Sequence, residues 1–154
     1  MNLDQQIQEL IDNAPEDDLT TQGIMAIAPV LKLLASRFKH ETYFVWQNFQ
    51  QQWVLTTLAH QTKPNLSKQV IYTFASAGDA ASSNTSPGSP QSIPIISLLF
   101  QLIAMESVDS LVIFDRPGDL MSGTEIARQD LQNLIHTQLQ QLYPSGGDIP
   151  SDLA

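Results

Sequence analysis

TYFVWQN at residues 42–48 and WVLTTLAH at residues 53–60 decide the class of fold. Aromatic and β-branched residues dominate both stretches, the composition of a pleated, half-buried surface. Only residues 49–52 separate them, so the spacing predicts an antiparallel hairpin. A turn follows at 62–65 (TKPN), and QVIYTFA at 69–75 reads as a third strand. Together the three read as a meander. Successive side chains of a strand point to opposite faces. Tyr43 and Val45 therefore face away from Phe44 and Trp46, and Val70, Tyr72 and Phe74 face away from Ile71. A solitary antiparallel sheet keeps one face polar. Here both faces carry apolar residues, which predicts helices on both faces or a partner on one.

Upstream, the period is helical. Leu3, Ile7, Leu10, Ile11 and Ala14 form one stripe, which Pro15 ends. Glu16, Asp17 and Asp18 suit the positive start of a second helix. Its stripe is Ile24, Ile27, Ala28, Leu31, Leu34, Ala35 and Phe38, within a helical region at about 19–39. Pro29 interrupts it, either kinking the helix or opening a shorter one.

Downstream, residues 76–94 (SAGDAASSNTSPGSPQSIP) are small, polar and rich in Pro and Ser. Such a segment has little to bury against the entropy of ordering, so a flexible loop is expected inside the domain. IISLLFQLIAM at 95–105 is apolar on nearly all sides and opens after Pro94, which predicts a central helix. SLVIFD at 110–115 is a short buried strand, and Arg116, Pro117, Gly118 and Asp119 form a turn. Ser122 and Glu125 have capping-box spacing. They are expected to start a last helix with the stripe Ala127, Leu131, Leu134, Ile135, Leu139 and Leu142. Residues 144–154 read as a disordered tail after a single domain at 1–143. The expected fold is α+β, in the order α-α-β-β-β-α-β-α, with an antiparallel sheet packed against helices.

With 154 residues, 42% of them hydrophobic, the chain has material for one core. A net charge of −9 repels phosphate backbones, which argues against nucleic acid as a partner. The one basic cluster, Arg37, Lys39 and His40, has Glu41 beside it and reads as the last turn of a helix. No cysteine is present, which removes disulfides, thiolate metal sites and cysteine nucleophiles. The first ten residues lack the basic and apolar regions of a signal peptide, and the apolar run at 93–105 is too short to span a bilayer. A cytoplasmic protein without membrane insertion is expected.

Chemistry has few candidates. His40, His60 and His136 lack the partner spacing of a metal-binding helix, so no metal, cofactor or catalytic residue is assigned. There is no nucleophile elbow and no phosphate loop. Ser122 and Thr124 read as capping rather than as an anion site. Asp115 ends a buried strand beside Arg116, which marks a possible ligand pocket. FDRPGD also reads as turn chemistry with an Asp–Arg pair. The densest cluster is aromatic: Tyr43, Phe44, Trp46, Phe49 and Trp53. Such residues form cores, and they also dominate protein interfaces.

The order helix, three-strand meander, helix, strand, helix resembles the type III secretion chaperone-like fold, which includes YbjN-like bacterial proteins. The likeness covers residues 19–142 by element order. The family typically has a further strand between its last two helices, where the sequence shows only 111–114. The Gln-rich, Lys-poor character is similar to that of small cyanobacterial proteins of unknown function. The resemblance implies an acidic, non-enzymatic protein that dimerises and binds an extended segment of another protein. The expectation is thus a protein-binding or assembly module that uses the sheet or the aromatic hairpin, with a protein partner or a second copy. The alternative is a small-ligand or enzymatic domain with a pocket near Asp115 and Arg116.

Overall fold

A computed structural model describes residues 2–13, 18–59 and 66–142. The expected helix stop at Pro15, His60, the turn at 62–65 and the tail at 144–154 lie outside the described residues. The class is α+β, in the order α1 (Leu3–Asp12), α2 (Asp18–Ala35), β1 (Thr42–Gln47), β2 (Thr56–Ala59), β3 (Ser67–Phe74), α3 (Ala77–Ser83), β4 (Ser89–Pro94), α4 (Ile95–Ala104), β5 (Ser110–Phe114), β6 (Gly123–Ala127) and α5 (Arg128–Leu142).

The sheet runs β4-β1-β3-β5-β6, with β2 also on β3. It is mixed rather than antiparallel, because β3 and β5 pair in parallel from Val70 opposite Ser110 to Phe74 opposite Phe114. The meander is corrected as well. β1 and β2 do not pair as two strands of a hairpin; both lie antiparallel on the same edge of β3, end to end. Phe44 sits opposite Phe74 in one pairing, and Thr56 opposite Val70 in the other. Between them the chain makes a small excursion, closed by Gln47 bridging Trp53. The Asn48 side chain accepts the N–H groups of Gln50 (2.9 Å) and Gln52 (3.0 Å) at its tip.

The expected loop at 76–94 is ordered. Ser76 caps α3 by accepting the Asp79 N–H (3.1 Å), and β4 pairs with β1 from Ser89 opposite Gln47 to Pro94 opposite Thr42. An edge strand is held by ladder hydrogen bonds, and prolines are tolerated there, so polar composition disguised it. Gly88 permits the close approach at the start of this strand. A Cβ on it would lie 2.3 Å from the Gln47 carbonyl oxygen. Gly88→Ala is expected to lower stability by about 1–3 kcal/mol through strain at the β1–β4 edge, read as a lower denaturation midpoint.

The capping box at Ser122 is also corrected. Residues 123–127 form β6, antiparallel to β5, and α5 starts only at Arg128. The Ser122 hydroxyl instead donates to the Asp119 carboxylate (2.8 Å) within the preceding turn. Gly123 belongs in the strand because a Cβ there would meet Val112 at 2.7 Å and Phe114 at 2.8 Å. Two strands therefore lie between the last two helices. Pro29 lies exposed inside a continuous α2 and does not begin a shorter helix.

One face of the sheet carries the main core. Tyr43, Val45, Ile71, Leu111, Ile113 and Ile126 pack under α2, α4 and α5, with α1 at the rim. α4 is the central helix, with Ile95, Ile96, Leu98, Leu99 and Leu102 all buried. Each such side chain contributes about 1.5–3 kcal/mol. The opposite face has a second cluster of Phe44, Trp46, Tyr72, Phe74, Val112 and Phe114, covered by Ala80 of α3. Helices thus cover both faces, the second with a seven-residue helix. α1 is fastened by Gln6, which is only 2% exposed. Its Oε1 accepts the Ile96 N–H (2.9 Å) at the start of α4, and its Nε2 donates to the Glu41 carbonyl (2.8 Å). None of the described helices is long and apolar enough to cross a membrane.

Candidate partner-binding site

The five aromatic candidates do not form one surface. Tyr43 is fully buried in the main core. Phe44 and Trp46 belong to the opposite cluster, where the Trp46 indole N–H donates to the Ser86 carbonyl (3.1 Å). Trp53 is half-buried against the main core. Only Phe49 stands out, 78% exposed at the tip of the excursion. The pleat separates Tyr43 from Phe44 and Trp46, and the excursion carries Phe49 away from the others.

Asp115 and Arg116 also part company. The Asp115 carboxylate accepts the Tyr43 hydroxyl and, through both oxygens, the Lys39 N–H (3.1 and 3.0 Å). His40 donates its backbone N–H to the Tyr43 oxygen (3.2 Å), and its Nε2 lies 3.1 Å from the Asp115 carbonyl. Its ring meets the Tyr43 ring edge-on at 5.6 Å. Burial pushes the Tyr43 phenol above the ordinary tyrosine range, and the Asp115 hydrogen bond adds to that shift. A phenol held protonated is a poor base, so this network reads as a tie between the α2–β1 connection and the end of β5. Arg116 is exposed in the following turn. There the backbone N–H of Met121 and the Ser122 hydroxyl lower the pKa of Asp119. Among the described residues, no group of three His, Asp or Glu side chains can hold a metal ion.

The open features lie elsewhere. A hollow of about 410 Å³ opens between α2, α5 and β6, with Leu34, Phe38, Ile126 and Leu131 among its apolar lining and Arg37, Asp115 and Asp130 among its charged groups. A second hollow, also about 410 Å³, continues along α2 and α5 and shares Leu34, Arg37 and Leu134 with the first. Over it stand two large exposed side chains, Leu33 (64% exposed) and Leu134 (47%). On the other side of β6 lies a third hollow of about 450 Å³, lined by Lys68, Asp109, Ser110, Glu125 and Arg128 among others. The ammonium of Lys68 sits 2.6 Å from the Glu125 carboxylate and, with the Ser110 hydroxyl, lowers its pKa.

Sequence reasoning passed over Leu33, which lies off the core stripe of α2. A signal was present: Met25, Pro29 and Leu33 recur four residues apart and form a second apolar row, all exposed. Leu134 was read as core because it fits the stripe of α5, yet it faces the groove. A comparison with models of known protein families and with curated proteins finds no match to this chain.

Proposed function

We propose that this chain is a non-enzymatic protein-binding or assembly module, chaperone-like in character. One observation carries the reading: adjoining hollows along α2 and α5 are topped by Leu33 and Leu134, two large apolar side chains left in solvent. Apolar surface gathered in a concave strip marks an interaction site more strongly than scattered exposed leucines do. A small-ligand pocket at Asp115 and Arg116 is less favoured, because the Asp115 carboxylate is already engaged and Arg116 lies outside the hollow.

The test is Leu33→Gln combined with Leu134→Gln. Both positions are exposed, so thermal stability is expected to change by no more than about 0.5 kcal/mol per site. Partner capture from lysate, or dimerisation read by light scattering, is expected to be lost. A wild-type chain that is monomeric and captures nothing refutes the reading. So does a double variant that captures the same proteins as wild type.

A further inference from the structure

The two ends of the sheet differ. The β4 edge carries Pro90 and Pro94, which lack N–H groups and blunt it against a further strand. β6, GTEIA, ends the sheet on the other side and contains no proline. Its alternation can be read from one bond. Arg128 N–H donates to the Asp109 carbonyl (2.8 Å), one step beyond the pairing of Ala127 with Ser110. The pairs hydrogen-bonded to β5 are therefore Ile126 with Leu111 and Thr124 with Ile113. The main-chain groups of Gly123, Glu125 and Ala127 point away from β5. Among the described residues no strand pairs with that edge, and the Ala127 carbonyl faces the first turn of α5.

The hollows flank this edge. Thr124, Glu125, Ile126 and Ala127 all line the hollow on the helical side, whose floor is Leu34, Phe38 and Leu131. Glu125 and Ala127 also line the hollow on the other side, among Lys68, Asp109, Ser110 and Arg128. A strand laid along β6 places alternate side chains on opposite faces. One set enters the hollow floored by Leu34, Phe38 and Leu131, and the other meets the one lined by Lys68, Asp109 and Arg128. Main-chain pairing with alternating side-chain pockets is the physical pattern of strand addition.

We infer that β6 takes up an extended segment of a partner protein as an added edge strand. That segment alternates apolar residues, directed toward Leu34, Phe38 and Leu131, with polar or basic residues on its other side. The net charge of −9 favours a cationic segment. This rests on the binding-module reading and gives its partner a conformation and a residue pattern. A second copy is a poorer occupant, because β6 itself has Glu125 on one side and one large apolar residue, Ile126, on the other.

The test uses the full chain and a short fluorescein-labelled peptide in which leucine alternates with threonine and lysine. Glu125→Pro removes an outward N–H and leaves the pairing with β5 intact. Glu125→Gln keeps the N–H and loses only the charge. Binding by anisotropy is expected to weaken about tenfold or more in Glu125→Pro and to stay within about threefold in Glu125→Gln. A peptide N-methylated at alternate amides is expected not to bind. In wild type, the amides of Gly123, Glu125 and Ala127 are expected to exchange quickly with solvent and to slow when peptide is added. Those of Thr124 and Ile126 are slow throughout. Equal binding by Glu125→Pro, unchanged exchange at the three outward amides, or a wild-type dimer that Glu125→Pro abolishes overturns the inference. If peptide binding survives Glu125→Pro and fails in the Leu33 and Leu134 double variant, strand addition falls and the binding-module reading stands. If wild type binds neither peptide nor any protein, both fall.

Discussion

Replacing Gln6 with leucine is expected to destabilise the protein by about 2–4 kcal/mol, although leucine matches glutamine in size and suits a buried helix position. The amide joins three elements: it accepts from the first turn of α4 and donates to the connection ahead of β1. α4 has Pro94 at its N-cap, where no local side chain caps it, so the amide of a distant helix does that work. Leucine leaves the Ile96 N–H buried without an acceptor, while the Glu41 carbonyl retains the Ile95 N–H (3.0 Å). Gln6→Glu keeps an acceptor for Ile96 but sets a buried carboxylate oxygen against the Glu41 carbonyl, and is expected to cost at least as much as leucine at neutral pH. Urea denaturation measures the order. A Gln6→Leu protein as stable as wild type removes this account of how α1 is held.

The second large effect concerns Tyr43 and Asp115. Asp115→Ala strands the Tyr43 hydroxyl in the core and takes the acceptor from the Lys39 N–H, for an expected loss of about 2–3 kcal/mol. Tyr43→Phe removes the hydroxyl and with it the acceptor of the His40 N–H, while the carboxylate keeps its bond from Lys39; about 1–2 kcal/mol is expected. Because both variants break the same bond, their effects are expected to combine non-additively. The phenol also sets a pH dependence. Its pKa is raised in the folded state by burial and by Asp115, so the folded protein holds this proton more tightly than the unfolded chain does. Its contribution is complete below the ordinary tyrosine value near 10 and declines as pH rises above it. Wild type should therefore lose stability on the alkaline side, and Tyr43→Phe should lose less over the same range. Equal alkaline slopes contradict that assignment.

Much of the architecture was legible, for reasons that differ by element. α4 declared itself by an apolar run that only Ser97 and Gln101 interrupt, and β5 by its composition between turns, because both are largely buried. β4 was hidden because an edge strand needs backbone partners more than apolar residues. Its polar sequence therefore resembled that of a loop. β6 was masked by a local coincidence: SGTE satisfies capping-box spacing, and the strand is set by pairing with β5, a non-local partner. The excursion between β1 and β2 depends on which partner each strand finds, a non-local choice that no short window contains. The site was less legible than the fold. Aromatic density pointed to the hairpin, but the pleat sends those rings to opposite faces. The exposed leucines carry no local sign of exposure beyond the second row on α2.

The parallel pairing of β3 with β5 bears on how the chain reaches this structure. Val70 and Ser110 are neighbours in the sheet, and α3, β4 and α4 lie between them in sequence. Contacts across such a separation form late, since the loop must close before the pairing stabilises it. During synthesis, β1 and β2 can settle on one edge of β3 while its other edge has no strand to meet. That edge, rich in valine, isoleucine and aromatic residues, is open to the wrong partner until Phe114 has left the ribosome. Slow refolding and concentration-dependent losses on dilution from denaturant are therefore expected of the central strand rather than of the helices around it.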